Sequence, residues 1–108
     1  MTEESAIEAQ IFLYLRSCKI FCWKNYSLGV YNPVTKTFRK KSINGLNGVS
    51  DILGILPDGK ILAIEVKSLK GKPTPSQTSF LERVTENNGV AFVARSVADV
   101  KSQLSKHL

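Results

Sequence analysis

Histidine is almost absent from this chain of 108 residues; the one copy, His107, sits at the tail. A lone terminal imidazole supplies no Ser-His-Asp or Cys-His couple, which argues against His-based nucleophilic hydrolysis. Cysteine is nearly as scarce. Cys18 and Cys22 are the two, and with no second pair and no histidine near them they lack zinc-ligand spacing. The opening Met1-Thr2-Glu3-Glu4 has neither the basic start nor the apolar stretch of a secretory leader, so a disulfide is not expected. The two thiols read as small buried hydrophobes. No apolar run approaches the ~20 residues of a membrane helix. There is no internal repeat, flexible linker or low-complexity segment. Together these absences leave a single cytoplasmic domain, residues 1–108, as the expectation; a chain of this size buries roughly two thirds of its unfolded surface on folding, enough for one core.

Negative charge is also in short supply. Nine Asp and Glu face fifteen Lys and Arg, a net +6. A small basic domain is suited to a polyanion, because neutralising phosphates releases counterions; the same charge also serves solubility alone. Hydrophobic residues at 43% and charged residues at 22% are globular rather than disordered proportions.

The pattern predicts a helix over 4–16, with Ile7, Ile11, Tyr14 and Leu15 at helical spacing and Glu3, Glu4 and Glu8 toward its start, where the dipole favours carboxylates. A short aromatic strand follows at 20–24, then a strand pair over 29–39 around Asn32-Pro33-Val34-Thr35-Lys36, then a loop carrying Asn44-Gly45 and Asn47-Gly48. Strands over 51–56 and 61–67 flank the turn Pro57-Asp58-Gly59-Lys60 and make an antiparallel hairpin. A helix is expected over 77–87, capped by Ser76 and stopped by Asn87-Asn88-Gly89, then a buried strand over 90–94 and a last helix capped by Ser96.

Chemistry concentrates at Asp51, Glu65 and Lys67. Glu65 and Lys67 stand two apart in a strand and share a face, with Val66 turned the other way into the core. Asp51 opens the preceding strand, and the hairpin brings it close to Glu65. Two carboxylates converging beside an ammonium among Ile and Val are costly unless a cation compensates. Their oxygens suit Mg²⁺ or Mn²⁺, and nothing soft favours zinc. A Glu-x-Lys pair also occurs as a solvated pair on an exposed strand face, and spacing alone leaves both readings open.

Gly48-Val49-Ser50-Asp51, then Glu65-Val66-Lys67, resembles the PD-(D/E)xK nuclease signature. With Pro73-Thr74-Pro75-Ser76-Gln77 and Ser96-Val97-Ala98-Asp99-Val100 the ordered series resembles the VRR-NUC domain, a family that includes small stand-alone phage proteins and the nuclease module of a eukaryotic crosslink-repair enzyme. The resemblance covers nearly the whole chain. It implies an α/β, restriction-endonuclease-like fold: a mixed sheet flanked by helices, core order α-β-β-β-α-β, here with an extra strand pair. It implies metal binding by Asp51, Glu65 and the Val66 carbonyl, with Lys67 beside the attacking water and Gln77 supporting the site. A first-helix carboxylate usually completes such sites. Glu4 fits the family's opening pattern and Glu8 fits the helix-to-strand spacing of related resolvases, so both stay candidates. Ser50 stands where many relatives have Pro, a position that shapes a turn rather than donating a ligand.

The expected activity is Mg²⁺- or Mn²⁺-dependent phosphodiester hydrolysis in branched DNA, with four-way junctions the expected substrate. Lys70, Lys72, Arg39, Lys40 and Lys41 would hold flanking phosphates; the 39–41 run also reads as a plain solvated loop. A general or flap-type nuclease, or a basic binding module without catalysis, are the competing readings. Paired carboxylates would repel phosphate in a mere binding module. Resolving a junction takes two symmetric nicks, so a homodimer is expected. Its apolar surface could come from Phe21, Trp23, Tyr26, Tyr31 and Phe38, which could equally fill the core.

Overall fold

Thr2 starts the first helix by accepting a hydrogen bond from the Ser5 N–H at 3.0 Å, and Glu3 and Glu4 occupy the turn where the helix dipole favours them. The computed structural model describes residues 2–25, 30–32, 34, 37–39 and 47–108, with only the backbone of 30–32 and 37–39. Its elements are α1 (Glu3–Ser17), β1 (Phe21–Lys24), β2 (Val30–Asn32), β3 (Thr37–Arg39), β4 (Ile52–Ile55), β5 (Ile61–Val66), α2 (Pro75–Glu86), β6 (Val90–Ala94) and α3 (Val97–Leu104). The order matches the sequence reading, the extra strand pair β2–β3 included.

Four strands form one sheet in the order β1-β4-β5-β6, and β2 and β3 pair separately. β1, β4 and β5 run antiparallel, whereas β6 runs parallel to β5. A parallel neighbour requires a crossover, and α2 provides it. This is the mixed sheet with flanking helices expected of the family.

Alternation splits the sheet into two faces. Ile52, Leu62, Ile64, Val66, Phe92 and Ala94 pack with Ile11 and Leu15 of α1 and Val100 and Leu104 of α3. Burying each large aliphatic side chain contributes about 1.5–3 kcal/mol before entropy is counted, so this face holds the core. The opposite face is covered over β5 and β6 by α2, whose Leu81 is buried. Over β1 and β4 no helix among the described residues covers it: Phe21 is 67% exposed and Trp23 38%, with Ile55 also exposed, as is Ile61 at the start of β5. Phe21 and Trp23 therefore do not fill the core. Tyr26 lies outside the described residues, as do the side chains of Tyr31 and Phe38.

The second helix corrects the expected cap. It begins at Pro75, and Thr74 rather than Ser76 is the N-cap. Thr74 Oγ1 accepts from the Gln77 N–H and Gln77 Oε1 accepts from the Thr74 N–H. Thr-x-x-Gln closes a reciprocal capping box, and Pro at the first helical position loses no bond the helix would have used. Ser76 loses to that combination. Cys18 and Cys22 are free thiols, half-buried against the core.

Candidate active site

The β4–β5 register pairs Ile52 with Ile64, so one step further Asp51 stands opposite Glu65. At that step the ladder is completed by a side chain: Asp51 Oδ2 accepts the Val66 N–H at 2.8 Å. This bond ties the carboxylate at the mouth of β4 to the last residue of β5. Val66 itself is fully buried in the core, as alternation predicted.

Glu65 is not a solvated strand residue. It is 1% exposed, and neither carboxylate oxygen has a hydrogen-bond donor among the described residues. Burial, then the Asp51 carboxylate beside it, push its pKa up to about 8; Lys67 pulls it back in part, and Glu4 adds to the rise. The reading of Glu65–Lys67 as an exposed pair is therefore ruled out by burial alone. Lys67 is half-buried, its N–H donating to the Ala94 carbonyl at 3.1 Å across the parallel pair.

Both first-helix carboxylates lie near this pair, in different company. Glu8 makes an ion pair with Lys24 at 3.7 Å. Burial and the Asp51 charge raise its pKa, against the opposing pull of Lys24. Glu4 acts electrostatically on both Glu65 and Glu8, and its Oε2 lies against Gly71, 3.7 Å from where a Cβ would stand. Among the described residues no three acidic, imidazole or thiol side chains gather at metal-coordination spacing. The built feature is the Asp51–Glu65 pair. Buried Glu65 oxygens with no donor among the described residues, beside a second carboxylate, are the hard oxygen set a divalent cation takes, so these residues fit Mg²⁺ or Mn²⁺.

The loop before Asp51 is fixed against α2. Gly48 has φ +73, and a Cβ there would run into the Ser76 carbonyl and come within 2.6 Å of the Gln77 N. Only a residue without a Cβ adopts that backbone in that space. Gly48 thus joins the Asp51 strand to the N-terminus of the helix bearing Gln77. Gln77 is half-buried, and the cap uses its Oε1. Ser50 is fully buried, and its hydroxyl has no hydrogen-bond partner among the described residues.

Of the proposed phosphate-holding residues, Lys70 and Lys72 are exposed on the loop after β5. Lys40 and Lys41 lie outside the described residues, and Arg39 ends β3 with its side chain undescribed. Two contributors escaped the sequence. Thr74 was legible in principle from Thr-Pro-x-Gln. Arg95, which reaches back to the 68–71 loop, was not, because nothing local signals a partner more than 20 residues earlier.

The family model for the VRR-NUC domain matches residues 21–98, which leaves Glu4 and Glu8 ahead of the matched span. A solved VRR-NUC domain is similar over 99% of this chain and 98% of its own, at 26% identity and a TM-score of 0.69. A second solved VRR-NUC domain protein shares the fold at 16% identity and a TM-score of 0.62, covering all of this chain and 89% of its own. No curated protein matches the sequence.

Proposed function

The chain belongs to the VRR-NUC family, and on that premise we propose that it is a divalent-metal-dependent endodeoxyribonuclease resolving four-way DNA junctions as a homodimer. The VRR-NUC domain is a nuclease domain of the PD-(D/E)xK type, so the coarse chemistry is phosphodiester hydrolysis in DNA. No helix among the described residues is long and apolar enough to cross a membrane.

One observation carries the catalytic assignment: Glu65, buried and without a donor among the described residues, faces the Asp51 carboxylate with Lys67 two residues on. Asp51 and Glu65 would hold the cation, and the Val66 carbonyl would add an oxygen. Glu4 is proposed over Glu8 as the helix-borne carboxylate, because Lys24 already engages Glu8. Bound there, Mg²⁺ or Mn²⁺ supplies neutralisation of the phosphate and a more acidic attacking water. Lys67 would orient the attacking water and offset the negative charge growing on the phosphate. Gln77 supports the site through the amide nitrogen its cap leaves unused. Lys70 and Lys72, with Arg39, Lys40 and Lys41, hold flanking phosphates and position the duplex without reading sequence. The dimer is proposed through the open half-face around Phe21 and Trp23. Exposed apolar side chains in one patch fit an interface better than solvent.

The test is cleavage of labelled single-stranded, duplex, flap and four-way DNA, with Mg²⁺, Mn²⁺ or EDTA. Paired nicks on opposing strands of the junction, lost in EDTA, are expected. Equal cutting of duplex and junction would favour a general nuclease, and binding without cleavage under every condition would leave a non-catalytic module.

A further inference from the structure

The loop that leaves the Glu65–Lys67 strand is held from behind by one side chain. Arg95 follows β6 directly, and its Nη1 donates to the carbonyls of Ser68 at 2.5 Å and Gly71 at 2.6 Å, with Leu69 at 3.4 Å. Its own backbone is anchored, because the Arg95 N–H donates to Asp99 Oδ2 at 2.8 Å and the Asp99 N–H donates to the Ser96 hydroxyl. The loop adds one internal bond, from the Gly71 N–H to the Ser68 carbonyl at 3.2 Å. The carbonyls of Ser68 and Gly71 therefore take the two N–H bonds of one guanidinium nitrogen, and the Leu69 carbonyl at 3.4 Å can only share one of them. Lys70 lies inside this stretch and Lys72 one residue past it, both exposed. On its other side, Glu4 Oε2 lies 3.7 Å from where a Cβ on Gly71 would stand.

We propose that Arg95 is a positioning residue for nucleic-acid binding: it gathers the 68–71 carbonyls inward and so fixes the bearing of Lys70 and Lys72 on a phosphate chain. The proposal rests on the nuclease reading for its ligand, and on geometry alone for the clamp. Two flexible ammonium groups on a free loop lose conformational entropy when they engage phosphates; a loop already ordered loses less, which strengthens binding without touching the chemical step. The effect belongs in KM and not in kcat.

The test uses the whole chain with Arg95→Met, which keeps length and removes every side-chain donor, and Arg95→Lys, which restores charge and donors on a shorter side chain. In the protein alone, amide hydrogen exchange at Gly71 should speed up in Arg95→Met while exchange at Ile64 in β5 stays slow; unchanged Gly71 exchange overturns the clamp. Affinity for four-way DNA in Ca²⁺ should fall roughly tenfold, as for one lost charge-assisted contact, with KM rising in step and kcat within about threefold. Arg95→Lys should recover part of the affinity. Combined with Lys70→Ala and Lys72→Ala, Arg95→Met should cost little further affinity, because the contacts it serves are already gone; fully additive losses, or a fall in kcat at unchanged KM, overturn the route through the lysines. If Arg95→Met fails to fold, the same exchange, KM and cycle measurements on Arg95→Lys decide. A parent protein that neither binds nor cuts DNA defeats the nuclease reading, whereas Gly71 exchange still reads the clamp by itself.

Discussion

A carboxyl group buried without a donor is stable only if it keeps its proton or meets a cation. Glu65 is in that position. It keeps its proton in the folded chain up to about pH 8 and loses it near 4.5 when unfolded. Between those values the folded state binds one proton more, so stability falls as pH rises through the window. Thermal melts in EDTA should show that fall, and Glu65→Gln should flatten it and raise the melting temperature at pH 8, since a neutral amide can donate to Asp51. The same variant should abolish cleavage. Added Mn²⁺ should stabilise the parent more at pH 8 than at pH 5, where protons compete for the ligands, and should do little for Glu65→Gln. Asp51→Asn should also stop cleavage while DNA still binds, and its side-chain oxygen can go on accepting the Val66 N–H. Lys67→Ala tests a different role: turnover should fall roughly 100- to 1,000-fold, as when one positioned charge stabiliser is lost, while Mn²⁺ affinity by calorimetry changes far less than in Asp51→Asn.

At the scale of elements, the site depends on how α2 begins. Thr74 and Gln77 satisfy each other's backbone N–H groups, and Gly48 closes on that same turn. Thr74→Ala should lower stability by about 1 kcal/mol, the usual value of such a cap, and Gly48→Ala should lower it more, because a positive φ and a clash with helix backbone act together. Denaturant unfolding checks the order. The opposite order would mean that the loop before Asp51 is free of the helix. The hairpin β4–β5 was legible because Pro-Asp-Gly-Lys sits between two apolar runs, and Asp58 does bind the turn, accepting the Lys60 N–H at 3.0 Å. Ser76 is the better cap in isolation; the reciprocal glutamine and Pro75 decide for Thr74 instead.

For the whole molecule, the open half-face over β1 and β4 is the feature a single chain leaves unexplained. Phe21 and Trp23 pack as a tilted ring pair with centroids 5.4 Å apart, next to exposed Ile55. Light scattering at micromolar concentration should give twice the 11.9 kDa chain mass. Replacing Phe21 and Trp23 together by Ser should return the mass of one chain and uncouple the paired nicks while Mn²⁺ still binds. One-chain mass for the parent at every concentration would end the dimer proposal and remove the geometric reason for junction symmetry.

The sequence by itself determined the order of elements, the Asp51–Glu65–Lys67 series and the family, because these rest on local chemistry: helical and alternating periods, turn residues, and ligand types at fixed spacing. It determined that Val66 faces the core, since strand alternation leaves no other choice. Only the tertiary structure decided that Glu65 is buried, because a Glu-x-Lys strand reads the same on a wet face as on a dry one until the rest of the chain packs around it. Only the structure separated Glu8, paired with Lys24, from Glu4, beside Gly71, since the two lie one helical turn apart and either could reach the site. Arg95 belongs to the same class: its partners lie 24 to 27 residues back, and a contact of that range exists only once β6 has paired beside β5.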